Sequence, residues 1–391
     1  MNGAASTRIG RLEAMLARRD ADGLRRHRRI VAAPTGPRTV VDGVPMLAFA
    51  SNDYLGLAAD PLVIAAARDA AQMWGVGAGA SHLVSGHSVP HDALERELAA
   101  FVAPAGGVDA LLLSSGYLAN LGILSVLADR HDAIFADRLN HACLNDGALL
   151  SRATMHRYAH GDVDALAHAM QRSAAPRKLI VTDAVFSMDG DIAPLAALLE
   201  LAGQHDAWLI VDDAHGFGVL GEGRGTLAHL GLASDRIVAM GTLGKAAGVA
   251  GAFVAAHPVV IDALAQTARP YVYTTAMPPL QAEALRVALG LIRDDDARRV
   301  ALHAHIARFR AGAAMLPWTL LPSTTAIQPL VVGDSDAAVA LGAALAAQGI
   351  WVPAIRPPTV PAGTARLRVS LSAAHTPGDV DALLAALAAA S

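Results

Sequence analysis

Six short apolar runs, at residues 110–113, 133–136, 179–182, 208–211, 237–240 and 252–256, constrain the fold of this chain more than any other feature. Runs of this length suit strands buried on both faces, and strands alternating with capped helices predict a mostly parallel sheet covered on both sides. Between the runs the helix signals are local. Asp60-Pro61 and Ser88-Val89-Pro90 read as helix starts, and Gly75 stands where the first of these helices should end. After the last run the pattern changes. A long helix is expected from about Met277-Pro278-Pro279, with Leu280, Leu285, Leu289 and Ile292 on one side. Strands follow at 327–332 and 350–355 and at the alternating Leu367, Val369 and Leu371, and Thr376-Pro377 opens a final helix.

The fold class expected is therefore α/β: a large mostly parallel sheet domain at 51–280 and a smaller α+β C-terminal domain at 281–391. Residues 1–50 form an N-terminal helix and arm. Its helix, amphipathic and basic, is expected to reach about Arg29 with Leu12, Leu16 and Leu24 on its sparse apolar face. A chain of 391 residues, 53% apolar, is long enough to bury one large core and a second smaller one.

Charge excludes some partners. Lys and Arg total 31 against 35 Asp and Glu, and no basic block alternates with aromatics. Nothing in this balance favours nucleic acid or an anionic membrane, so a small-molecule substrate is expected. Cys143, the one cysteine, cannot close an internal disulfide or build a cysteine-rich metal site, which fits a reducing compartment. With no apolar signal core and no stretch long enough to span a bilayer, the expected location is the cytoplasm.

Ligands of open α/β sheets bind beyond the carboxyl ends of the strands, so the polar residues ending the apolar runs are the first candidates. The 208–211 run ends in Asp212-Asp213-Ala214-His215-Gly216. Two aspartates before a glycine also suit a cap and turn, but a partly buried carboxylate is what keeps a pyridinium nitrogen protonated. The 237–240 run ends in Gly241-Thr242-Leu243-Gly244-Lys245. A lysine is usually a solvated charge; in a glycine-rich turn between two apolar strands, desolvation lowers its pKa and exposes an amine nucleophile. Thr242 can offer its hydroxyl to a phosphate. The third group, Ser114-Ser115-Gly116-Tyr117, joins a strand to a helix N-terminus, where free N–H groups and the helix dipole favour phosphate.

Other motifs are weaker. Gly75-Val76-Gly77-Ala78-Gly79-Ala80 matches a loose dinucleotide fingerprint but follows a helix where that motif requires a strand. His87 and His91 have helical metal-ligand spacing, but Pro90 sets the helix start between them and no further Cys/His pattern accompanies them, so no metal is expected. No nucleophile-elbow motif is present.

Asp212-Asp213-Ala214-His215-Gly216 followed by Thr242-Leu243-Gly244-Lys245 resembles the α-oxoamine synthase family of fold-type I pyridoxal 5'-phosphate (PLP) transferases. The likeness runs over nearly the whole chain, in family order: Ser51-Asn52-Asp53-Tyr54-Leu55-Gly56-Leu57, Val84-Ser85-Gly86, Asp137-Arg138-Leu139-Asn140-His141-Ala142, Phe186-Ser187-Met188-Asp189-Gly190-Asp191 and Thr274-Thr275-Ala276-Met277-Pro278-Pro279. The stretch from Ile355 to Arg368 resembles the branch that condenses L-alanine with a pimeloyl thioester, on coenzyme A or an acyl-carrier protein, with loss of CO2. Relatives that use glycine and acetyl-CoA usually read differently there, and an aminotransferase of the same fold is a further alternative.

The resemblance implies that Lys245 holds PLP as a Schiff base, Asp212 pairs with the pyridine nitrogen and His141 stacks on the ring. It implies that His215 and Ser187 contact the ring oxygen, while Gly116, Tyr117 and Thr242 serve the phosphate. Arg25, His141 and Thr359 match substrate-contact positions, with Arg356 and Arg368 as additional candidates. It also implies a homodimer in which Thr274 or Thr275 reaches the partner's phosphate. The chain departs from the family's usual text at His82, where a histidine normally stands one place later, at Ala246 where glycine is usual, and at Asp183 where Glu is frequent.

Overall fold

The computed structural model describes residues 7–22 and 24–391. Helix α1 (Arg8–Ala21) is capped by Thr7, whose hydroxyl accepts from Gly10 N–H at 2.9 Å. It stops well before Arg29 and leaves Leu24 outside. Asp20 and Asp22 are poor helix formers placed at the negative end of the helix dipole, which opposes extension. Its apolar stripe, Ile9, Leu12, Met15 and Leu16, is exposed.

Strands β1 (Arg38–Val41) and β2 (Val44–Ala48) form an antiparallel hairpin that the sequence reading missed. Asp42 and Gly43 turn it with φ of 49° and 83°, the left-handed pair that a two-residue hairpin turn needs. Helix α2 (Pro61–Trp74) starts on the Asp60 cap and ends at Gly75, and α3 (Val89–Val102) starts at Ser88, all as expected.

The six apolar runs become β3 (Asp109–Leu113), β4 (Ala133–Asp137), β6 (Lys178–Asp183), β7 (Trp208–Asp212), β8 (Ile237–Thr242) and β9 (Ala252–Ala256). A seventh strand, β5 (Thr154–Tyr158), completes the order β3-β9-β8-β7-β6-β4-β5. Pairings from β8 to β5 are parallel, whereas β9 runs antiparallel to both β8 and β3. β5 escaped the sequence reading because only Tyr158 of its five residues is fully buried, so its Thr-Met-His-Arg-Tyr text carries no apolar run, whereas the opposite edge strand β3 is buried from Ala110 to Leu113.

The C-terminal strands are β10 (Thr319–Leu320), β11 (Ile327–Gly333), β12 (Ile350–Trp351), β13 (Ala354–Ile355) and β14 (Ala365–Ser370), with four of them in the order β10-β11-β14-β13. The single strand expected at 350–355 is two. β12 pairs in parallel with β2, and β13 pairs with β14 in the other sheet. Pro353 lies between them and has no N–H for a ladder. The long helix Pro279–Asp294 buries Leu285, Leu289 and Ile292 but leaves Leu280 half-buried. One apolar cluster runs from Tyr54 and Leu57 through Leu285 to Leu330, Leu367 and Leu371, so the two sheets share a core. Each such side chain contributes about 1.5–3 kcal/mol when buried. Among the described residues no helix is long and apolar enough to cross a membrane.

Candidate active site

The parallel strands end in register, with Asp183 of β6 opposite Asp212 of β7, and Asp212 opposite Met240 two residues before the end of β8. This alignment brings together chemistry that is scattered in sequence. α4 (Gly116–Leu127) follows β3, and α5 (Ala142–Ser151) follows β4.

Asp212 is buried and fixed by two N–H donors: Asn120 Nδ2 to Oδ2 at 2.7 Å and Ala214 N to Oδ1 at 3.0 Å. Asp213 points to a different task. It accepts from Thr226 N–H at 2.7 Å and from the Thr226 hydroxyl at 2.5 Å, and burial pushes its carboxyl up to about 7. The adjacent aspartates thus divide, the second one serving the turn that the motif also suggested.

Lys245 Nζ lies 2.9 Å from His215 Nε2. Burial lowers the lysine pKa, and Asp212 opposes that shift. Burial, with Lys245 and Arg368 nearby, holds His215 neutral with a pKa well below the usual value. An ammonium only donates, so Nε2 accepts from protonated Lys245 and Nδ1–H donates to the Tyr54 oxygen at 2.6 Å. The Tyr54 hydroxyl in turn donates to Asn52 Oδ1 at 3.2 Å, which also accepts from Arg368 Nη1 at 3.2 Å. The lysine therefore heads a continuous polar chain reaching into β14.

His141 caps α5 and is exposed on one side. Its backbone N–H donates to Asp183 Oδ2 at 2.7 Å, and its Nδ1 lies 2.8 Å from Cys143 Sγ. Burial and the Asp212 charge push the Cys143 thiol up to about 12, so it stays protonated as a packing and donor group between His141 and Asp212. Burial and the Asp212 charge also raise the Asp183 pKa well above the carboxylate range.

At the other end of the cluster the first turn of α4 faces β8. A Cβ on Gly116 would sit 3.2 Å from Met240 Cε, so a side chain there would press on the strand. Ser115 caps Leu118 N–H at 3.3 Å, and the first-turn amides of Gly116 and Tyr117 have no acceptor within the helix. Thr242 donates its hydroxyl to Gly251 O at 3.2 Å, and Gly248 and Gly251, with φ of 74° and 95°, let the lysine loop fold back. The Tyr117 hydroxyl donates to Asp146. A half-buried amine beside a neutral imidazole, a buried carboxylate and a helix N-terminus together fit an aldehyde-bearing pyridine phosphate.

Arg368 is buried and already engaged, donating to Ser187 O at 2.6 Å and Ser370 Oγ at 2.7 Å. With the neighbouring Arg366, which donates to Asp189 and to Met188 O, it clamps the loop that carries Ser187. Arg25 pairs with Asp20 at 2.6 Å, and it is Arg26 that reaches Thr359, at 3.4 Å. Arg356 is half-buried, its carbonyl accepting from Thr359 N–H at 3.1 Å. Thr275 bridges to Ser81, and neither the Thr274 nor the Thr275 hydroxyl makes a hydrogen bond among the described residues. The sequence reading named no role for Tyr54, Asn52, Asn120 or Cys143. Asn120 was detectable as a polar residue inside the otherwise apolar 118–124 stretch of α4.

A separate cavity of roughly 620 Å³, lined by Val102, Asp213, Phe217 and Phe253 among others, includes none of Lys245, Asp212 or His215.

Comparison with known proteins identifies the family. Residues 44–387 match the family model for aminotransferase class I and II. The chain is 59% identical over 376 residues to an 8-amino-7-oxononanoate synthase of Azoarcus sp., covering 96% of each chain. It is 58% identical over 381 residues to the protein of that name from Herminiimonas arsenicoxydans, covering 96% of this chain and 97% of the relative. Among solved structures, Sphingomonas wittichii serine palmitoyltransferase superposes with a TM-score of 0.92 at 30% identity, covering 98% of both chains. An S. paucimobilis serine palmitoyltransferase variant with a bound PLP–myriocin aldimine gives 0.90 at 30% identity, covering 97% of this chain and 96% of that one. An 8-amino-7-oxononanoate synthase from Francisella tularensis gives 0.75 at 30% identity, covering 88% and 97%.

Proposed function

The chain belongs to the aminotransferase class I and II family and, within it, to the 8-amino-7-oxononanoate synthases, and from that premise we propose how its own residues divide the work. The reaction is the PLP-dependent condensation of L-alanine with a pimeloyl thioester, releasing CO2 and the free thiol, a step of biotin biosynthesis. PLP, when bound, supplies an electron sink for the charge left at Cα and for the loss of CO2.

The observation that carries the residue assignment is the half-buried Lys245 Nζ at 2.9 Å from a neutral His215, with Asp212 at the end of the neighbouring strand. Lys245 takes the Cα proton of L-alanine at Nζ and returns it to the product, a role its burial-lowered pKa supports. His215 aligns that amine and is itself held by Tyr54. Asp212, backed by Asn120, takes the pyridine-nitrogen side, His141 covers the ring face, and Ser187 sits on the loop held by Arg366 and Arg368. Gly116, Tyr117 and Thr242 take the phosphate, completed by the partner's Thr274 or Thr275. Arg356 and Thr359, with Arg26 beside Thr359, form the thioester and carboxylate rim, and Arg25 is freed for that rim only by leaving Asp20.

The homodimer has its own support. Leu83, Val84 and Tyr273 are exposed apolar residues on the segments joined by the Ser81–Thr275 bridge, where covering by a second copy removes them from water. We place the reaction in the cytoplasm, consistent with the single, buried, unpaired Cys143.

The test is thiol release by PLP-loaded protein given L-alanine with pimeloyl-CoA or with pimeloyl-acyl carrier protein. Release with either donor, dependent on alanine and absent in Lys245→Ala, is the expected result and ranks the donors. Release with glycine and acetyl-CoA alone moves the chain to the glycine C-acetyltransferase reading, and amino transfer without thiol release moves it to an aminotransferase. Sedimentation at micromolar concentration reads the dimer directly.

A further inference from the structure

Three histidines meet at the start of α3, one more than the helical pair visible in the sequence. A single five-residue turn, His82–Gly86, folds the chain back so that His82 faces His87 and His91. The turn needs glycine at its end, since a Cβ on Gly86 would lie 2.1 Å from Ala80 O. One ring nitrogen from each histidine lies within 4.8 Å of the other two, and the Nδ1 atoms of His82 and His87 are 2.9 Å apart.

The rings are backed from outside the cluster. His91 Nε2–H donates to Met277 O at 2.8 Å, which leaves the lone pair on Nδ1, where it accepts from the Ser88 amide at 3.1 Å and the Ser88 hydroxyl at 2.8 Å. His87 Nε2 faces the Glu95 carboxylate at 3.9 Å. His82 stacks on Tyr271, with centroids 4.9 Å apart and planes within 10°. A carbonyl or carboxylate behind the ring is the usual means of orienting a metal-ligating imidazole.

We propose that His82, His87 and His91 form a binding site for one divalent transition-metal ion, separate from the PLP site. Three imidazoles select zinc, nickel, copper or cobalt over magnesium and calcium, which prefer oxygen ligands. Nitrogen ligands at 2.0–2.1 Å from a tetrahedral zinc stand about 3.3 Å apart, so the His82 and His87 nitrogens need to separate by about 0.4 Å and their distances to His91, within 4.8 Å, to close by up to about 1.5 Å. In the single chain His87 is exposed, beside the Leu83 and Val84 face that the second copy is proposed to cover, which leaves room for water in the fourth position. In the metal-free protein one proton lies between the two Nδ1 atoms and the Ser88 hydroxyl covers His91. On binding, the proton moves to an Nε2, which on His87 faces Glu95, and the metal takes the His91 Nδ1 lone pair from both the hydroxyl and the amide N–H of Ser88. The bound ion ties the 82–86 turn to α3 beside Thr275 and Ala276, which already join that turn through the Ser81 bridge and the Ala276 N–H to Ala80 O bond at 3.0 Å.

The test uses the untagged, PLP-loaded full chain, freed of metal by chelator and equilibrated with Zn2+ alone, with metal counted by mass spectrometry. The expected result is about one Zn2+ per chain, with affinity falling about tenfold or more in His82→Ala and in His87→Ala. Both variants keep the His91 and Ser88 contacts that start α3, and unchanged circular dichroism and PLP absorbance verify their folding. Co2+ in place of Zn2+ should give the visible bands of a tetrahedral site in the wild type only. Absence of stoichiometric Zn2+ from the wild type overturns the proposal. So does equal retention by the His82→Ala/His87→Ala double variant, which would send the ion to another group such as His160, Asp189 and Asp191.

Discussion

At the carboxyl ends of β6, β7 and β8, Asp183, Asp212, His215 and Lys245 each have a partner held by the sheet or its core. At the rim, Arg25 and Arg26 sit on an exposed arm, where one is paired with Asp20 and the other touches Thr359 at 3.4 Å. The floor carries charge in a dry setting, so each group there is costly to leave unpaired, and burial pushes the Asp183 pKa up and those of His215 and Lys245 down. The rim is wet, its ion pairs are screened, and its side chains are free to exchange partners when substrate arrives. A change at the floor should therefore act on the chemical step, and one at the rim on substrate affinity.

The largest test of this contrast is Lys245→Ala, expected to lower turnover by about 10⁴-fold or more because both the nucleophile and the base are removed. Measurable burst or steady-state thiol release from that variant would break the floor assignment. Asp212→Asn should lower kcat by about 10²–10³-fold with a smaller change in KM, read from steady-state kinetics at saturating PLP. An effect confined to KM would place Asp212 with the rim. Next comes Arg26→Ala, expected to raise KM for the thioester about fivefold with kcat little changed, as for loss of one exposed hydrogen bond. Arg25→Ala should do less unless substrate pulls Arg25 off Asp20, so the rank of the two variants sharpens which arginine works.

The smallest effect concerns His160, which bridges Asp137 at the end of β4 to Asp191. Asp137 and Asp191 hydrogen bonds raise its pKa to about 10 from 6.5. The folded chain thus binds the proton more tightly than the unfolded one, and the stability this adds is complete below about pH 6.5 and fades as pH rises through about 10. His160→Gln should lower the melting temperature by a few degrees at pH 6, from loss of about 1–3 kcal/mol, and by much less at pH 10. An equal loss at both values would show that the imidazole acts by packing against Phe186, whose ring lies 4.3 Å away edge-on, and not by charge.

Legibility in the sequence follows the same division. Strands buried along their length must be apolar throughout, so six of the seven strands in the large sheet announced themselves, the edge strand β3 among them, whereas β5 buries only Tyr158 fully and did not. Asp212, His215, Lys245 and Gly116 stand directly after such runs, and position alone marked them. The division of Asp212 from Asp213 was not legible, because adjacent residues on a strand point to opposite faces and only the neighbours Asn120 and Thr226 reveal which face is which. The split at Pro353 was equally hidden, since a short apolar stretch does not say which of two sheets will supply its partner.

By itself, then, the sequence determined the alternation of buried strands and capped helices, and with it the strand ends that carry Lys245, Asp212 and the glycine turn at Gly116. Those are local properties, set by side-chain solubility and backbone propensity over a few residues. Tertiary structure alone decided which distant groups meet: Tyr54 with His215, Asn120 with Asp212, Arg368 with the Ser187 loop, and His82 with His87 and His91. The reason is physical. A polar group in the interior must find its partner wherever the packed core brings one within hydrogen-bond reach, and that distance does not depend on separation along the chain.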